Sequence, residues 1–262
     1  LNFAIEEGKV VQVAIPNERE KAERIVNIFK PLYESSEILK IGQNLKYDME
    51  VLMNYGVRLA APMFDTMLAH YVLQPEQKHN TETIAETLHQ YNVLKPRLNE
   101  TGVEDLFYNI EMPLVPVLAE MEMTGVRLDT DALAETSKVL TERMHQIEQN
   151  IYGLAGHEFN IASPKQVGEV LFGEMKIVEK PKKTKTGQYV TSEEVLQQLR
   201  SKAPIVDHIL EHRGLKKLLG TYVDALPKLI NPRTGHIHTT FNQAVTATGR
   251  LSSSNPNLQN IP

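Results

Sequence analysis

The stretch 133–154, LAETSKVLTERMHQIEQNIYGL, has the most regular hydrophobic pattern in the chain. Its large apolar residues recur at spacings of three, four and seven: Leu133, Leu140, Met144, Ile147, Ile151 and Leu154. Because an α-helix turns once every 3.6 residues, this spacing places them on one face of a helix. The stretch therefore predicts a long amphipathic helix with one apolar face to bury.

A second stripe between residues 206 and 226 predicts a partner for that helix. It consists of Val206, Ile209, Leu210, Leu218, Leu219, Tyr222 and Leu226. Two such stripes can pack as an antiparallel pair. Between them, SPKQ at 163–166 and TSEE at 191–194 have the spacing of helix-capping boxes and predict two short helices. The segment that joins these helices, KPKKTKTG at 180–187, predicts a basic, turn-rich loop.

Residues 1–92 instead mix strand and helix signals. Two apolar runs flank EEGK at 6–9 and predict a β-hairpin. Helices are predicted after Pro16, over 46–52 and over 65–73, with strands over 38–42 and 57–59. This alternation is typical of an α/β layer, so the fold class is mixed α/β followed by a mainly helical part. After Pro227 the pattern predicts a strand over 236–241 and an irregular segment over 246–262.

Composition excludes several classes of protein. The 262 residues are 41% hydrophobic and 23% charged, which is typical of a folded chain. Cysteine is absent, which excludes a disulfide framework, a thiolate zinc site and a thiol nucleophile, and fits a reducing compartment. The apolar runs are too short to cross a membrane, and the N-terminus has no signal pattern. We therefore expect a cytoplasmic protein without a membrane partner, and a piece of a longer chain because it opens mid-strand at Leu1.

The formal charge of −5 conceals a difference between two parts of the chain. Between Lys176 and Arg250 there are thirteen Lys and Arg residues against six Asp and Glu, a charge of +7. The remainder has fifteen against twenty-seven, a charge of −12. An acidic body with a basic surface indicates a polyanionic partner, although lysines that merely solvate helices would give the same count.

The last stretch, TATGRLSSSNPNLQNIP at 246–262, concentrates hydroxyl and amide side chains around one glycine and one arginine. Gly249 would let the backbone approach a ligand closely. The donors Arg250, Asn257, Gln259 and Asn260 suit the purine N3 and pyrimidine O2 acceptors of the minor groove. Those acceptors occur in every base pair, so such contacts can test pairing geometry but cannot read sequence. An Asn- and Ser-rich surface loop would have the same composition, and both interpretations stay open at this point.

Several motifs together resemble the A family of DNA polymerases, the family of bacterial DNA polymerase I. TGRLSS at 248–253 followed by PNLQNIP at 256–262 resembles the motif at the start of its palm. NLKYD at 44–48 resembles the second motif of its 3′–5′ exonuclease domain, and FDTML follows at 64–68. IEMPL at 110–114 and the stretch 213–222 resemble segments that flank the thumb. The resemblance implies a partial RNase-H-like exonuclease domain over 1–109, a helical thumb with long antiparallel helices over 110–230, and the start of the palm over 231–262.

The resemblance also implies roles for individual residues. Asp48 corresponds to a catalytic carboxylate that holds the exonuclease metals, which activate water and stabilise the leaving oxygen. Asn44 and Tyr47 would lie near the frayed 3′ strand. The remaining residues implied to contact DNA are Lys182, Lys183 and Lys185 at the tip of the thumb, Arg213 and Lys217 on a helix, and Thr248, Arg250, Asn257, Gln259 and Asn260 at the start of the palm. Without the resemblance, a solvated carboxylate on a helix face is the plainer interpretation of Asp48. For the lysines, and for Arg213 and Lys217, a solvated surface charge is an equally good interpretation.

For the parent enzyme the resemblance implies Mg²⁺ as cofactor and primer–template DNA and deoxynucleoside triphosphates as partners. It would act as a monomeric DNA-directed DNA polymerase, a nucleotidyltransferase of replication and repair. A stand-alone 3′–5′ exonuclease and a non-enzymatic helical DNA-binding protein are the alternatives.

Two departures from the family pattern limit what this chain can do. The first exonuclease motif, Asp-x-Glu, would precede Leu1, and the third, a Tyr followed four residues later by Asp, is not found between Asp65 and Glu111. We therefore expect a segment to be missing near 92–93. The polymerase carboxylates would follow Pro262, so this piece alone is not expected to transfer nucleotides.

Overall fold

The computed structural model describes residues 1–79 and 83–261 as two compact units. Unit 1 comprises Leu1–Val126 and His238–Ile261, and unit 2 comprises Arg127–Ile237. Residues 110–126 and 238–261 thus group with the N-terminal part rather than with the long helices. Met112 and Val115 are buried in the same core as the N-terminal residues, which explains this grouping. The domain boundaries expected after residues 109 and 230 rest on the resemblance and stay predictions.

The strands of unit 1 form three separate pairs. Strands β1 (Asn2–Glu6) and β2 (Lys9–Gln12) form the predicted antiparallel hairpin. Strands β3 (Lys40–Gly42) and β4 (Met63–Asp65) are parallel. The third pair, β5 (Thr240–Asn242) and β6 (Ser252–Ser254), is antiparallel. The strand predicted over 236–241 is therefore shorter and shifted, and the segment predicted to be irregular contains a strand that pairs with it.

The helices of unit 1 pack around these strands. They are α1 (Arg19–Ile28), α2 (Lys30–Tyr33), α3 (Leu45–Met53), α4 (Thr66–Leu73), α5 (Ile84–Glu100), α6 (Glu104–Leu106) and α7 (Met112–Thr124), with a π-helical turn over Phe107–Glu111. The core contains Phe64, whose ring centroid lies 4.9 Å from those of Tyr91 and Phe107. Helix α5 runs without interruption through residues 92–93, where a missing segment was expected.

The strand predicted over 57–59 is wrong. Val57 and Leu59 are buried, but in an irregular segment that follows helix α3. Gly56 has a positive φ of 68°, and the Val57 amide donates to the Leu52 carbonyl at 3.1 Å. This is the closure that ends many helices, with an apolar residue just after the glycine. Val57 is therefore apolar because it covers the helix end, and the strand forms further on at Met63–Asp65.

Unit 2 is built on the predicted antiparallel pair of long helices, α8 (Thr130–Ala155) and α11 (Pro204–Leu218). Arg143 Nε donates to Glu211 Oε1 at 2.8 Å, and Ser137 Oγ donates to Asp224 Oδ1 at 2.7 Å. Because position 137 pairs with 224 and position 143 with 211, the two helices are antiparallel. Ile147 and Ile151 are fully buried, but Leu154 is 43% exposed, so the first stripe is buried mainly in its middle.

Short helices connect and extend that pair. They are α9 (Pro164–Gly168) and α10 (Glu193–Gln198), with π-helical turns over Glu169–Glu174 and Leu219–Val223 and a 3-10 turn over Leu226–Leu229. Ser163 caps α9 as predicted and accepts from the Gln166 amide. Ser192 precedes α10 without a side-chain cap, so only the helix itself is confirmed there. Within the described ranges, no helix is long and apolar enough to cross a membrane.

Candidate nucleic-acid interface

The residues of the NLKYD motif meet where strand β3 passes into helix α3. Asn44 has left-handed backbone angles, φ 56° and ψ 53°, and stands at the N-cap position of the helix. A Cβ at Gly42 would collide with the Leu45 side chain, so glycine lets the strand end close to the helix without a shift of Leu45. Tyr47 is 61% exposed and Asp48 is also on the solvent side. The motif thus presents Asn44, Tyr47 and Asp48 together at one helix end.

The carboxylate of Asp65 holds this helix end in place. Asp65 is only 1% exposed, yet four backbone amides donate to it. Asn44 N and Met67 N donate to Oδ1 at 3.1 and 2.9 Å, and Leu45 N donates to Oδ2 at 2.7 Å. The fourth donor is Leu68 N at 3.4 Å. Burial raises the pKa of Asp65, and the four hydrogen bonds oppose that rise. One carboxylate therefore satisfies the first amides of both α3 and α4.

Asp48 by itself does not fit the two-metal site that the resemblance implies. Its side chain reaches solvent, yet the surrounding protein and then the charge of Asp65 raise its pKa to about 6. Asp65 has its oxygens committed to backbone amides and is not available as a second ligand. Among the described residues, no three His, Cys, Asp or Glu side chains are placed to hold a metal ion. The catalytic and metal-binding role of Asp48 stays a prediction, and it requires further carboxylates as metal ligands beside Asp48.

The β5–β6 hairpin is built from polar residues that satisfy one another. The hydroxyls of Thr239 and Ser253 lie 2.7 Å apart, and both residues are buried. Ser253 Oγ also accepts from the Leu258 amide at 3.0 Å. Asn242 Nδ2 donates to Ser254 Oγ at 3.0 Å. The serines of this stretch thus close a network that fixes the hairpin and the residues after it.

The turn at Thr248, Gly249 and Arg250 projects from this fixed hairpin. Gly249 has a positive φ of 77°, which a glycine adopts without strain. Thr248 and Arg250 are exposed. The Arg250 carbonyl accepts from Thr246 Oγ1, but the Arg250 guanidinium forms no hydrogen bond or ion pair with the residues that the structure describes. The structure thus presents a cation and a hydroxyl to solvent on a rigid support.

The three predicted amide donors are exposed beside this turn, and two of them also shape their own loop. Asn257 Oδ1 accepts from the amides of Gln259 and Asn260 at 2.9 and 3.3 Å. Gln259 Nε2 donates to the Leu251 carbonyl at 2.9 Å. The Nδ2 donors of Asn257 are not used in these bonds. The contacts of Asn257, Gln259 and Asn260 with DNA stay predictions.

In unit 2, Lys182, Lys183 and Lys185 are exposed on a short hairpin-like turn. The Val190 amide donates to the Lys182 carbonyl at 3.0 Å, which closes the turn. Lys183 Nζ lies 4.7 Å from the centre of the Tyr189 ring, a cation–π contact that holds this lysine in place. None of the three lysines forms an ion pair with a carboxylate in the described ranges. Their charge is therefore open to an external anion.

Beside this turn lies a groove of about 710 Å³ whose lining includes Arg213, Lys216 and Lys217 and, among the described residues, no carboxylate. Arg213 is half-buried, and its guanidinium donates to the carbonyl and, at 3.3 Å, to the hydroxyl of Thr191. Burial lowers the pKa of Arg213, and Glu193 opposes this effect. Arg213 thus braces the wall of the groove, while Lys217 is exposed. The role of both residues in DNA binding stays a prediction.

Sequence reasoning missed a buried cluster that supports the hairpin. Lys46 and Glu122 are 8% and 6% exposed and form an ion pair. The Phe241 amide donates to Glu122 Oε1 at 2.7 Å. Gln243 Nε2 donates to Glu111 Oε2 at 2.8 Å. Charged residues in otherwise apolar helices were the available signal, but nothing in the local pattern shows what they pair with.

Two family models match the chain, and together they cover residues 2–262. The model described as DNA polymerase family A matches residues 130–262, and the one described as 3'-5' exonuclease matches residues 2–145. A DNA polymerase I from Synechocystis sp. is 44% identical over 85% of this chain and 27% of its own length. One described as thermostable, from Thermus thermophilus, is 41% identical over 91% of this chain and 31% of its own length. This chain therefore spans about a third of the length of these relatives or less.

A third relative and a solved structure match almost the whole chain. A DNA polymerase I from Pseudomonas aeruginosa is 36% identical over 100% of this chain and 34% of its own length. That alignment has 314 positions, 52 more than the 262 residues here, so this chain lacks internal residues that the relative has. The structure, a POL domain of Pol1 from M. smegmatis in complex with DNA primer-template and dNTP, has a TM-score of 0.79 and 31% identity. It matches over 97% of this chain and 47% of its own chain.

Proposed function

Because this chain belongs to DNA polymerase family A, we propose that it binds primer–template DNA for a longer polymerase that adds deoxynucleotides to a primer 3′ end. The observation that carries the proposal is the exposed turn at Thr248–Arg250, which projects from a hydrogen-bonded hairpin and whose guanidinium has no hydrogen-bond or ion-pair partner among the described residues. A neighbour with 31% identity is described as bound to primer-template and dNTP, which supports the same class of partner.

Two parts of the chain would contact the DNA in different ways. The lysines at 182, 183 and 185 carry charge without a carboxylate partner in the described ranges, which suits contacts to phosphates. Arg250 and the amides of Asn257 and Gln259 suit the acceptors of the minor groove, which every base pair presents. Binding of this kind depends on charge and on pairing geometry rather than on base sequence.

Proofreading by the longer polymerase is part of the proposal, and its Mg²⁺ would require ligands beyond Asp48. A stand-alone exonuclease is not favoured, because a model of DNA polymerase family A matches residues 130–262. A purely structural DNA-binding protein is not favoured either, because all three named relatives are polymerases. The monomeric state and the cytoplasmic location stay predictions.

The proposal is tested by the affinity of this chain for a labelled primer–template of mixed sequence, measured by fluorescence anisotropy at several salt concentrations. Three to five phosphate contacts predict that log Kd rises with log salt with a slope of about 3 to 5. An unlabelled duplex of unrelated sequence is expected to compete equally well. Equal affinity at about 50 and 200 mM salt would contradict the proposal, because phosphate contacts release counterions.

Arg250→Ala is expected to weaken this binding about fivefold at about 0.15 M salt, the contribution of one cationic contact. In a longer polymerase that contains the chain, it is expected to slow primer extension, most strongly just beyond a mismatch. Arg58→Ala removes the same charge from an exposed site that pairs with Glu120, and provides the control. Equal effects of the two variants on affinity, or normal extension by the Arg250 variant, would rule out this role.

A further inference from the structure

A small pocket in unit 1 lies where its two parallel strands end. Its volume is about 140 Å³. Gln43 directly follows strand β3, Thr66 directly follows strand β4, and both residues line the pocket. In open α/β sheets, ligands bind outside the carboxyl ends of parallel strands. None of the residues predicted to contact DNA is among the described residues that line this pocket, so it is a separate place on the molecule.

The polar side chains around the pocket suit a negatively charged ligand. Helix α4 contributes His70, the loop after it contributes Lys78 and His79, and helix α5 contributes Gln90. The described residues of the lining include no carboxylate. Asp65, at the start of α4, is buried, accepts from backbone amides and does not line the pocket. The formal charge of the described lining is therefore positive.

Several donors of this lining have no partner within the described ranges. Lys78 forms no ion pair, and the side-chain amides of Gln43 and Gln90 form no hydrogen bond with the residues that the structure describes. An ion with several acceptor oxygens can accept from all three groups at once. Hydrogen bonds between a cationic donor and an oxyanion are also the strong ones. A metal ion is disfavoured here, because the ammonium group of Lys78 would repel it.

The two histidines form a pair that responds to charge. Nδ1 of His70 lies 2.8 Å from Nδ1 of His79, a distance at which one nitrogen donates and the other accepts. Burial first, and then the charge of His70, lower the pKa of His79, while a hydrogen bond to the Pro75 carbonyl opposes the fall. The other groups beside the pair are Lys78 and the Tyr71 ring, 5.3 Å from the His79 ring. A bound anion would therefore favour uptake of a proton by the pair.

The volume of the pocket limits the size of its ligand. A cavity of about 150 Å³ takes up a small compact molecule such as benzene. Phosphate and sulfate, each with one central atom and four oxygens, are of similar size. Ligands as large as a whole nucleotide occupy pockets of at least about 300 Å³. Only the phosphate group of a nucleotide would therefore enter this one.

We propose that this pocket binds a phosphate-sized oxyanion, with Lys78, Gln43 and Gln90 as donors, and that the His70–His79 pair takes up a proton as the anion enters. The ion would be inorganic phosphate or the terminal phosphate of a nucleotide or DNA strand. The inference goes beyond the proposed DNA binding, because it concerns other residues and a ligand that binds without a duplex.

The test is isothermal titration calorimetry of this chain with sulfate, which keeps its charge near neutral pH. We expect saturable binding with uptake of close to one proton, obtained from the binding heat in buffers of different ionisation enthalpy. Because proton uptake couples binding to pH, the affinity is expected to rise about threefold or more from pH 8 to pH 6. Binding without proton uptake, or no saturable binding, would overturn the proposal.

Substitutions place the ion in the pocket. His70→Gln and Lys78→Gln are each expected to weaken sulfate binding about fivefold or more, and His70→Gln is expected to abolish the proton uptake. His89→Gln and Lys95→Gln change the same residue types on helix α5 outside the pocket, and are expected to alter neither quantity. If the control variants weaken binding as much as the test variants, sulfate binds through net charge and the assignment is wrong.

An NMR titration of the unchanged chain needs no substitution and decides the matter if a variant does not fold. The ring signals of His70 and His79 are expected to shift with sulfate and with inorganic phosphate. Equal shifts with a deoxynucleoside 5′-monophosphate would identify the phosphate of a nucleotide or strand end as a ligand, and shifts with the free ions alone would identify inorganic phosphate. Signals that respond to none of these anions, or only to Zn²⁺, contradict the proposal. No DNA is present, so failure to bind DNA would leave this result intact.

Discussion

Replacement of Lys182, Lys183 and Lys185 together by glutamine is expected to lower the affinity of this chain for primer–template DNA about 100-fold at about 0.15 M salt. Each phosphate contact releases close to one counterion, which at this salt concentration is worth about fivefold in affinity. Three contacts multiply to about two orders of magnitude. The same variant is expected to reduce the slope of log Kd against log salt by about 3.

A matched variant separates local contacts from the loss of net charge. Lys9, Lys21 and Lys30 lie in unit 1 and pair with Glu6, Glu18 and Glu34, at 2.6, 2.6 and 3.7 Å. Their joint replacement by glutamine changes the net charge by the same amount and is expected to alter the affinity by less than about threefold, because each of these lysines is already paired with a carboxylate. If both triple variants weaken binding equally, the lysines of the 182–185 turn act only through net charge and the predicted phosphate contacts are wrong.

Local patterns allowed much of the fold to be predicted from the sequence. Periodic apolar residues predicted helices α8 and α11 and their antiparallel packing, because the face that must be buried is fixed by spacing alone. EEGK at 6–9 predicted the first hairpin, because a tight turn between two apolar runs brings the two strands on either side of it together. The strand predicted at Val57 was wrong because an apolar residue that covers a helix end has the same local pattern as an apolar residue in a strand.

The supports of the candidate site could not be predicted, because they depend on contacts between distant residues. Nothing near Glu122 in the sequence shows that it accepts from Phe241, 119 positions away. The resemblance singled out Asp48, and the structure shows that the neighbouring Asp65 is the carboxylate on which the backbone depends. The charge count predicted a basic surface, and the structure adds that the lysines at 182, 183 and 185 lack carboxylate partners in the described ranges.

Asp65→Ala is expected to destabilise unit 1 by about 4 kcal/mol, the largest effect on stability that we expect from a single polar residue. The substitution leaves the amides of Asn44, Leu45, Met67 and Leu68 without their acceptor at a site that is 1% exposed, where water does not readily replace it. A single exposed helix cap is worth about 1 kcal/mol, and here one carboxylate serves two helices in a buried setting. Urea unfolding followed by far-ultraviolet circular dichroism measures the loss.

Asp129→Ala provides the comparison that isolates burial and multiplicity. Asp129 caps helix α8 by accepting from the Ala132 amide alone, at 2.9 Å, on an exposed surface of unit 2. It is expected to cost about 1 kcal/mol, because water can solvate the released amide. Asp65→Asn is expected to fall between the two, since its Nδ2 would face a backbone N–H instead of accepting from it. If Asp65→Ala costs no more than Asp129→Ala, the four hydrogen bonds do not hold the ends of α3 and α4, and Asp48 and Tyr47 must be positioned by packing alone.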